Sequence, residues 1–195
     1  MNKENKTSKA DLHIHTNFSD GFSSSEKIVD TAVDKGLDVI AITDHNVLTG
    51  AKRAKQYAKD NGLPIKVIIG QEITTSQGEI IGLFLNKVIP PFLSPQETCH
   101  QIKQQNGLSF VPHPHRIIIG YSLSFNTINN LVKENLLDAI EMYNFWDFSP
   151  QLAKNRKKKN NKWQLAELAN TDSHHYSTLG YYYTEFEGQS VKELK

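Results

Sequence analysis

This sequence has little cysteine, no long apolar run and no strong net charge of either sign. Cys99 is the only cysteine in 195 residues, so an internal disulfide and a cysteine-based zinc site are both excluded. The net charge is +1 at pH 7 with histidine neutral, which gives no global indication of a nucleic-acid or acidic-membrane partner. Any metal ligands in this chain are therefore limited to histidine, aspartate and glutamate.

Signals for membrane insertion or secretion are also lacking. The first nine residues, MNKENKTSK, are polar and contain no apolar segment typical of a secretory signal. No stretch approaches the roughly 18 consecutive apolar residues that a membrane-spanning helix needs. We therefore expect a cytoplasmic protein with no membrane partner, made of a flexible tail at residues 1–9 and a single domain at residues 10–195.

Strand and helix patterns alternate along the chain. Serine and glutamate three residues apart, as in Ser23–Glu26 and Ser94–Glu97, predict the starts of two of the helices. Regular alternation of strands and helices predicts a parallel sheet, either open or closed into a barrel. Apolar segments predict seven strands, at 10–15, 37–42, 65–69, 80–85, 108–111, 139–142 and 165–169.

Polar clusters follow five of these strands. They read HIH, TDH, GQE, HPH and TDSHH, and they contain seven of the eight histidines; only His100 lies elsewhere, inside a predicted helix. His13 and His15 alternate along a strand, so their side chains point to the same face. In α/β barrels the active site forms at the carboxyl ends of the strands, which is where these clusters fall.

The clusters provide a mixed set of imidazole and carboxylate groups. This mixture favours Zn, Mn or Fe over Ca or Mg alone. The set exceeds the needs of one tetrahedral ion and suits two or three divalent ions that share carboxylates, an arrangement well adapted to phosphoester hydrolysis. The candidate metal ligands are His13, His15, Asp20, His45, Glu72, His113, Asp172 and His174.

These motifs, in this order, resemble the PHP (polymerase and histidinol phosphatase) family of metal-dependent phosphoesterases. The resemblance covers about residues 10–187. It implies an α/β fold, a distorted (β/α)7 barrel with the metal site at the C-terminal ends of the strands. It further implies that His13, His15, Glu72 and Asp172 surround one metal, that Asp20, His45 and His174 serve another, and that Glu72 and His113 lean toward a third.

The sequence departs from the family pattern in one segment. Many members have a further histidine ligand between the glutamate and the HP motif, where this chain reads QGEIIGL at 77–83. Glu79 lies in this segment, but we do not count it among the predicted ligands. Both two and three bound ions therefore stay open.

Other polar residues beside the clusters have two interpretations each. Arg116 is a candidate clamp for phosphate oxygens or a surface arginine. His115 and His175 are candidate general acids for the leaving group or solvent-facing side chains. Asp44 either holds a ring nitrogen of a ligand histidine or caps its own loop. The aromatic segment at 143–148 either walls the pocket or packs on the adjacent helix.

We expect an enzyme that hydrolyses a small phosphomonoester or a nucleotide by means of a water that bridges metal ions. Its cofactors are two or three divalent ions, Zn, Mn or Fe, and its partner is a small phosphorylated substrate. The alternatives are a nuclease acting on nucleic-acid ends, a hydrolase of another ester or amide, and a catalytically silent metal-stabilised binding or regulatory module. The basic run at 154–162 would line the approach of a nucleic acid, but it is more typical of a solvated helix face. The sequence gives no indication of an oligomeric state.

Overall fold

The computed structural model describes residues 7–114, 121–147 and 149–188. The strands within these ranges form one eight-stranded sheet in the order β7-β6-β5-β4-β3-β2-β1-β8. Their bounds are β1 (Thr7–Ile14), β2 (Val39–Ile42), β3 (Lys66–Thr75), β4 (Gly78–Leu83), β5 (Leu108–Val111), β6 (Ala139–Asn144), β7 (Ala166–Asn170) and β8 (Thr184–Glu187).

Helices connect most of the strands, and serine side chains begin several of them. Ser94 and Ser149 accept hydrogen bonds from backbone N–H groups in the first turns of their helices. Ser24 rather than Ser23 caps the first helix, one residue later than expected, because its hydroxyl accepts from Lys27 N at 3.2 Å. The helices are α1 (Ser25–Asp34), α2 (Thr49–Asp60), α3 (Pro95–Gln104), α4 (Phe125–Lys133) and α5 (Pro150–Trp163), followed by a short 3-10 helix (Tyr176–Thr178).

The two ends of the sheet meet, so the sheet is a nearly closed barrel and the expected fold class is confirmed. At the carboxyl ends, β1 reaches the end of β7 directly, since His15 N donates to Ser173 O at 2.8 Å. At the other end β8 lies beside both, because it pairs antiparallel with β1 and Thr184 bonds to Ala169 on β7. The described residues form eight strands, one more than the sequence predicts. The additional strand is β8, which lacks the strong apolar pattern from which the other seven are predicted.

One part of the sheet departs from the expected parallel order. β3 and β4 form an antiparallel hairpin with the turn at 75–78, and β4 is also antiparallel to β5. Thr75 Oγ1 donates to Gly78 O at 2.6 Å across this turn. β3 continues six residues past its expected end at Ile69, because pairing with β4 extends it through polar residues. Glu72 therefore lies within a strand, opposite Ile81.

The barrel is filled below its carboxyl end. Alternate apolar side chains of several strands, among them Leu12, Ile81 and Phe110, are buried together inside it. Two further apolar clusters pack the helices against the outside of the sheet. Thr7, Ser8 and Lys9, which we expected in the N-terminal tail, belong to β1 instead.

The basic run on α5 is only partly solvated. Arg156 is fully buried and donates to both carboxylate oxygens of Asp147 and to the carbonyls of Met142 and Pro114. Lys157 is exposed but pairs with Glu167 at 2.8 Å. The buried arginine fixes α5 to the loops after β5 and β6. Across the described part of the chain, no helix is long and apolar enough to cross a membrane.

Candidate metal centre

The predicted ligands gather in a pocket at the carboxyl ends of the strands. The pocket has a volume of about 500 Å³ and is lined by residues from the ends of β2, β3, β5 and β7 and from the hairpin strand β4. Five imidazoles and four carboxylates form overlapping groups there. Three of the imidazoles and all four carboxylates line the pocket, and His13 and His15 are fully buried against these lining residues. All eight candidate ligands named from the sequence belong to these groups, and one further residue, Glu79, joins them.

The first group consists of His13, His15, Glu72 and Asp172. The Nε2 atoms of His13 and His15 are 3.1 Å apart, and each lies 3.1 Å from Glu72 Oε2. Each also lies 3.4 Å from Asp172 Oδ1. His13 lies on β1 and His15 one residue past its end, and residues two apart on an extended segment face the same side. The β1–β2 register shifts between Asp11 and Ile14, so the alternation along β1 is interrupted just before this pair.

The second group consists of His15, Asp20, His45 and His174. Asp20 Oδ2 lies 3.1 Å from His174 Nε2 and 3.5 Å from His45 Nε2. Asp20 Oδ1 lies 3.4 Å from His15 Nδ1. The ring of His15 stacks between its neighbours, with centroids 4.7 Å from that of His45 and 4.4 Å from that of His174. This group is more open to solvent than the first.

The third group consists of Glu72, Glu79 and His113. His113 Nε2 lies 3.2 Å from Glu72 Oε1 and 3.8 Å from Glu79 Oε2. Glu79 Oε1 also lies 3.4 Å from His45 Nδ1. The sequence alone does not identify Glu79 as a ligand. The hairpin turn that brings β4 back beside β3 places it in the pocket, in the segment where the family pattern has a histidine.

Glu141 is a second buried residue that the sequence analysis missed. Its carboxylate lies 3.2 Å from His13 Nδ1 and accepts from His113 N at 2.6 Å. The side-chain amides of Asn144 and Asn170 donate to it at 2.9 and 3.0 Å. A buried carboxylate is costly without such partners, so these bonds account for its place in an apolar strand. The available signal was a lone glutamate in the segment AIEMYN.

Asp44 caps a loop. Its carboxylate accepts from Thr16 N at 2.7 Å, from Thr16 Oγ1 at 2.8 Å and from Ser19 Oγ at 2.9 Å. The loop that it holds is the one that carries Asp20. Gly50 leaves room for this arrangement, because a Cβ there would lie 2.0 Å from Asp44 Oδ2.

Residues of the centre adopt backbone conformations that non-glycine residues rarely take. His113 has a φ of 29° and Asp172 a φ of 53°. Such conformations cost on the order of 1–3 kcal/mol each and persist only where neighbours hold them. The bond from His113 N to Glu141 and the bond from Trp146 Nε1 to Asp172 O, 2.9 Å long, supply that support.

The charges in the pocket strongly perturb one another. Burial, with the nearby Glu72 carboxylate, raises the pKa of Glu79 to about 9. Burial opposes ionisation of Glu72 as well, but the charge of His13 and hydrogen bonds from His113 and His13 hold its pKa well below the usual range. The carboxyl groups of Glu72 and Glu79 are close together, so both can be ionised at once only if a bound cation offsets their charge. Without a cation, one of them holds a proton.

The donor set fits divalent ions. Metal bonds of about 2.0–2.2 Å keep neighbouring ligand atoms roughly 3.0–3.5 Å apart, as in the first group. His15 Nδ1 is buried and, among the described residues, makes no hydrogen bond, although Asp20 Oδ1 of the second group lies 3.4 Å away. An unpaired buried nitrogen is costly in a protein interior and natural in a ligand.

Of the three predicted catalytic residues, His175 alone lies within the described ranges. His115 and Arg116 lie outside the described residues. His175 is exposed and caps the 3-10 helix, with its Nδ1 2.8 Å from Ser177 Oγ. These contacts do not bring His175 to the groups, and its role as a general acid stays a prediction.

The aromatic segment after β6 supports the centre from outside the pocket. Trp146 reaches the backbone of Asp172, and Phe145 packs on Trp146 and Tyr181 with centroids 5.3 and 5.5 Å away. Phe148 lies outside the described residues. The segment therefore positions a candidate ligand.

Comparisons with known proteins agree with this geometry. The PHP domain family matches residues 11–122. The chain is 42% identical over 147 residues to the uncharacterized protein MJ1587 of Methanocaldococcus jannaschii, covering 70% of this chain and 81% of that protein. It is 39% identical over 106 residues to a 5′-3′ exoribonuclease of Haemophilus influenzae, covering 52% of this chain and 38% of that enzyme.

A solved structure shows the same fold. It is a two-domain protein from Bacteroides vulgatus containing a predicted PHP-like metal-dependent phosphoesterase. The TM-score is 0.76 at 22% identity, and the match covers 96% of this chain and 61% of that one. The barrel therefore corresponds to part of a longer chain in that protein.

Proposed function

Because the chain belongs to the PHP domain family, we propose that it is a metal-dependent hydrolase of phosphate esters. The observation that carries the proposal is the convergence of five imidazoles and four carboxylates at one pocket, seven of them in its lining and two buried behind it. The family match supports a hydrolase in general, and the composition of the pocket supports a phosphate ester in particular.

The carboxyl groups of the pocket favour bound cations as the partners of a phosphate. Four of its lining residues are the carboxylates Asp20, Glu72, Glu79 and Asp172, and none of the lining residues within the described ranges is lysine or arginine. The ionised carboxylates of this surface would repel a phosphate dianion. Divalent ions bound by the same carboxylates would reverse the sign of the charge that the substrate meets.

We propose two or three divalent ions, held by the three groups defined above. When bound, such ions neutralise phosphate oxygens and lower the pKa of a coordinated water. The protein's own contribution is to fix the ligands: Glu141 orients His13, and Asp44 holds the loop of Asp20. The mixed ligands suit Zn, Mn or Fe.

The size of the pocket favours a small substrate. A volume of about 500 Å³ lies in the range typical of small-molecule sites. We therefore propose a small phosphomonoester or a nucleotide, bound with its phosphate above the ligand groups. The phosphate-clamp role of Arg116 is retained as part of this proposal.

A nuclease acting on nucleic-acid ends is a second candidate, favoured by the likeness to the Haemophilus influenzae exoribonuclease. The basic side chains of α5 would have to support it, but Arg156 is buried and Lys157 is paired. Turnover of short 5′-phosphorylated RNA that falls steeply with added salt would favour this candidate. Salt-insensitive turnover of small esters would favour the first.

Metal content and turnover measured together test the proposal. The protein is stripped with a chelator, reloaded with Zn, Mn or Fe, analysed for metal and assayed with p-nitrophenyl phosphate. We expect two or three equivalents of metal and hydrolysis that depends on it. His13→Ala should lower both, whereas His100→Ala, an exposed position on α3, should lower neither. Failure to bind metal after reloading would overturn the proposal.

A further inference from the structure

Two large aromatic side chains on the wall of the pocket are exposed to solvent. Phe92 is 73% exposed and Tyr121 is 54% exposed, and both line the pocket that holds the ligand groups. Removal of an apolar ring from water lowers the free energy. Solvent-exposed rings that are held beside a polar site can therefore contribute to the binding of a ligand.

Phe92 is held in an unfavourable backbone conformation. Its φ is 67°, in the left-handed region that a bulky residue rarely adopts. Phe92 N donates to Thr74 O at 2.7 Å, and Ser76 N donates to Leu93 O at 2.9 Å. The end of β3 therefore fixes this residue, and strain of this kind is typical of functional sites.

The segment before Phe92 is anchored as well. The side-chain amide of Gln71, which is buried on β3, donates to Ile89 O at 2.8 Å and accepts from Ile89 N at 3.0 Å. Pro90 and Pro91 follow, and their rings restrict the backbone between the two anchors. The ring of Phe92 thus stands on a stiff support rather than on a free loop.

Tyr121 is tied to the ligand groups through its backbone. Its carbonyl accepts from Glu79 N at 2.7 Å. The next residue, Ser122, donates through its hydroxyl to His113 O at 2.7 Å. Tyr121 therefore keeps a fixed place relative to the third group, as Phe92 does relative to β3.

We propose that Phe92 and Tyr121 bind a flat aromatic or heteroaromatic ring of the substrate and so determine its specificity. The ring of the substrate lies against Phe92 and Tyr121, while the phosphate attached to it lies above the ligand groups. This inference rests on the proposed function for the position of the phosphate. The two side chains act by contact with the part of the substrate that does not react.

The test compares ligands with and without a ring on the metal-loaded protein. Phenylphosphonate and methylphosphonate are titrated by calorimetry, and phenyl phosphate and propyl phosphate are assayed for kcat and KM. Phe92→Leu and Tyr121→Leu keep an apolar side chain and remove the ring, while Phe92→Tyr keeps the ring. Tyr182→Ala removes an exposed ring that does not line the pocket and is the matched control.

We expect each leucine variant to weaken phenylphosphonate binding on the order of 10-fold. Methylphosphonate, which lacks the ring, serves as the reference within each variant, and metal content is measured on the same samples. Phe92→Tyr should restore ring binding, and the loss for phenyl phosphate should fall on KM. Equal losses for both ligands, or no loss, would overturn the inference.

Binding and turnover separate this inference from the function on which it rests. If no phosphate ester is hydrolysed but phenylphosphonate still binds more tightly than methylphosphonate through Phe92, the proposed function fails and the ring site stands. If both esters are hydrolysed and the leucine variants do not discriminate between them, the ring site fails. If the leucine variants bind phenylphosphonate as the wild type does but bind another protein less tightly, the rings belong to a protein-binding surface. That result would overturn the inference.

Discussion

Glu79 places a carboxylate where a histidine is expected from the family pattern. It faces Glu72 and His113, and burial with the Glu72 charge raises its pKa to about 9. A bound cation would remove the need for that proton. Whether the third group binds an ion therefore depends on this one side chain.

Replacing Glu79 should change the number of bound ions. We expect Glu79→Ala to lose the ion of the third group while the first two groups keep theirs, because those groups do not include it. Glu79→His should retain the ion, since imidazole suits the same metals. Elemental analysis after reloading measures the difference. Equal metal content in the wild type and the alanine variant would show that Glu79 is not a ligand.

Cys99 provides a chemical reporter of unfolding. It is fully buried on α3, and burial raises the pKa of its thiol to about 12. The reactive form is the thiolate, so we expect no alkylation by iodoacetamide at pH 8 until the chain unfolds. The rate of alkylation in increasing urea, followed by mass spectrometry, checks this. Rapid labelling of the native protein would contradict it.

The same thiol implies a loss of stability in alkali. Its folded-state pKa of about 12 lies above the reference value of 9.0, so the folded state holds the proton more tightly. The contribution is complete below pH 9 and is lost as the pH rises from there towards 12. Cys99→Ala, compared with the wild type by urea unfolding, should remove this part of the pH dependence.

The candidate ligands are recognisable in the sequence at the level of single residues. His13, His45 and Asp172 stand out because each is a polar residue at or just beyond the end of an apolar segment. Glu141 and Glu79 do not, because their roles depend on which strands are neighbours. The partners of Glu141 lie 28 residues away at His113 and 128 away at His13, and no local pattern records such distances.

At the scale of the elements, the N-terminus of α2 packs against Asp44 and Thr16, which hold the loop that carries Asp20. Gly50 lies in the first turn of α2, and Ser25 of α1 donates to its carbonyl at 3.0 Å. A Cβ at this position would also lie 2.4 Å from Thr16 Oγ1. The glycine is thus required by the close approach of α2 to Thr16 and Asp44 and not by its φ angle.

Gly50→Ala should therefore destabilise the protein although it replaces glycine in a helix. Alanine normally stabilises a helix by about 1 kcal/mol relative to glycine. Here we expect a loss of about 1–3 kcal/mol, because the methyl group displaces Asp44. Urea unfolding measures the difference, with the exposed neighbour variant Thr49→Ala as control. A stabilised Gly50→Ala protein would contradict this account.

The hairpin of β3 and β4 shows why element order was only partly predictable. Apolar segments located β4, but nothing in them distinguishes a parallel from an antiparallel neighbour. The short connection at 75–78 is the distinguishing feature, because a parallel crossover needs a dozen or more residues. β8 was missed because its alternating segment TEFE contains a single large apolar residue.

At the scale of the whole molecule, the ligand groups join strands that are distant in sequence. The first group alone links β1, β3 and the end of β7. Bound ions would therefore stabilise the barrel by connecting its strands at one end. The alternation of strands and helices predicted this gathering of ligands, since carboxyl ends of parallel strands share one edge.

Removal of metal should accordingly lower the melting temperature. A ligand present at 1,000 times its dissociation constant stabilises the folded state by about 4 kcal/mol. We expect excess chelator to lower the Tm of the loaded wild type by several degrees in differential scanning calorimetry. His13→Ala should show a much smaller shift, because its first group is incomplete. Equal shifts in both proteins would show that the chelator acts elsewhere.

The pairing of β1 with β8 has a consequence for synthesis on the ribosome. Thr7 pairs with Glu187, and Ser8 Oγ donates to Gly188 O at 2.6 Å. β1 is thus synthesised before its partner β8, which follows about 180 residues later. Until then one edge of β1 presents unpaired backbone groups, which is an aggregation hazard that cotranslational chaperones counter. Moving β8 ahead of β1 by circular permutation would remove this delay.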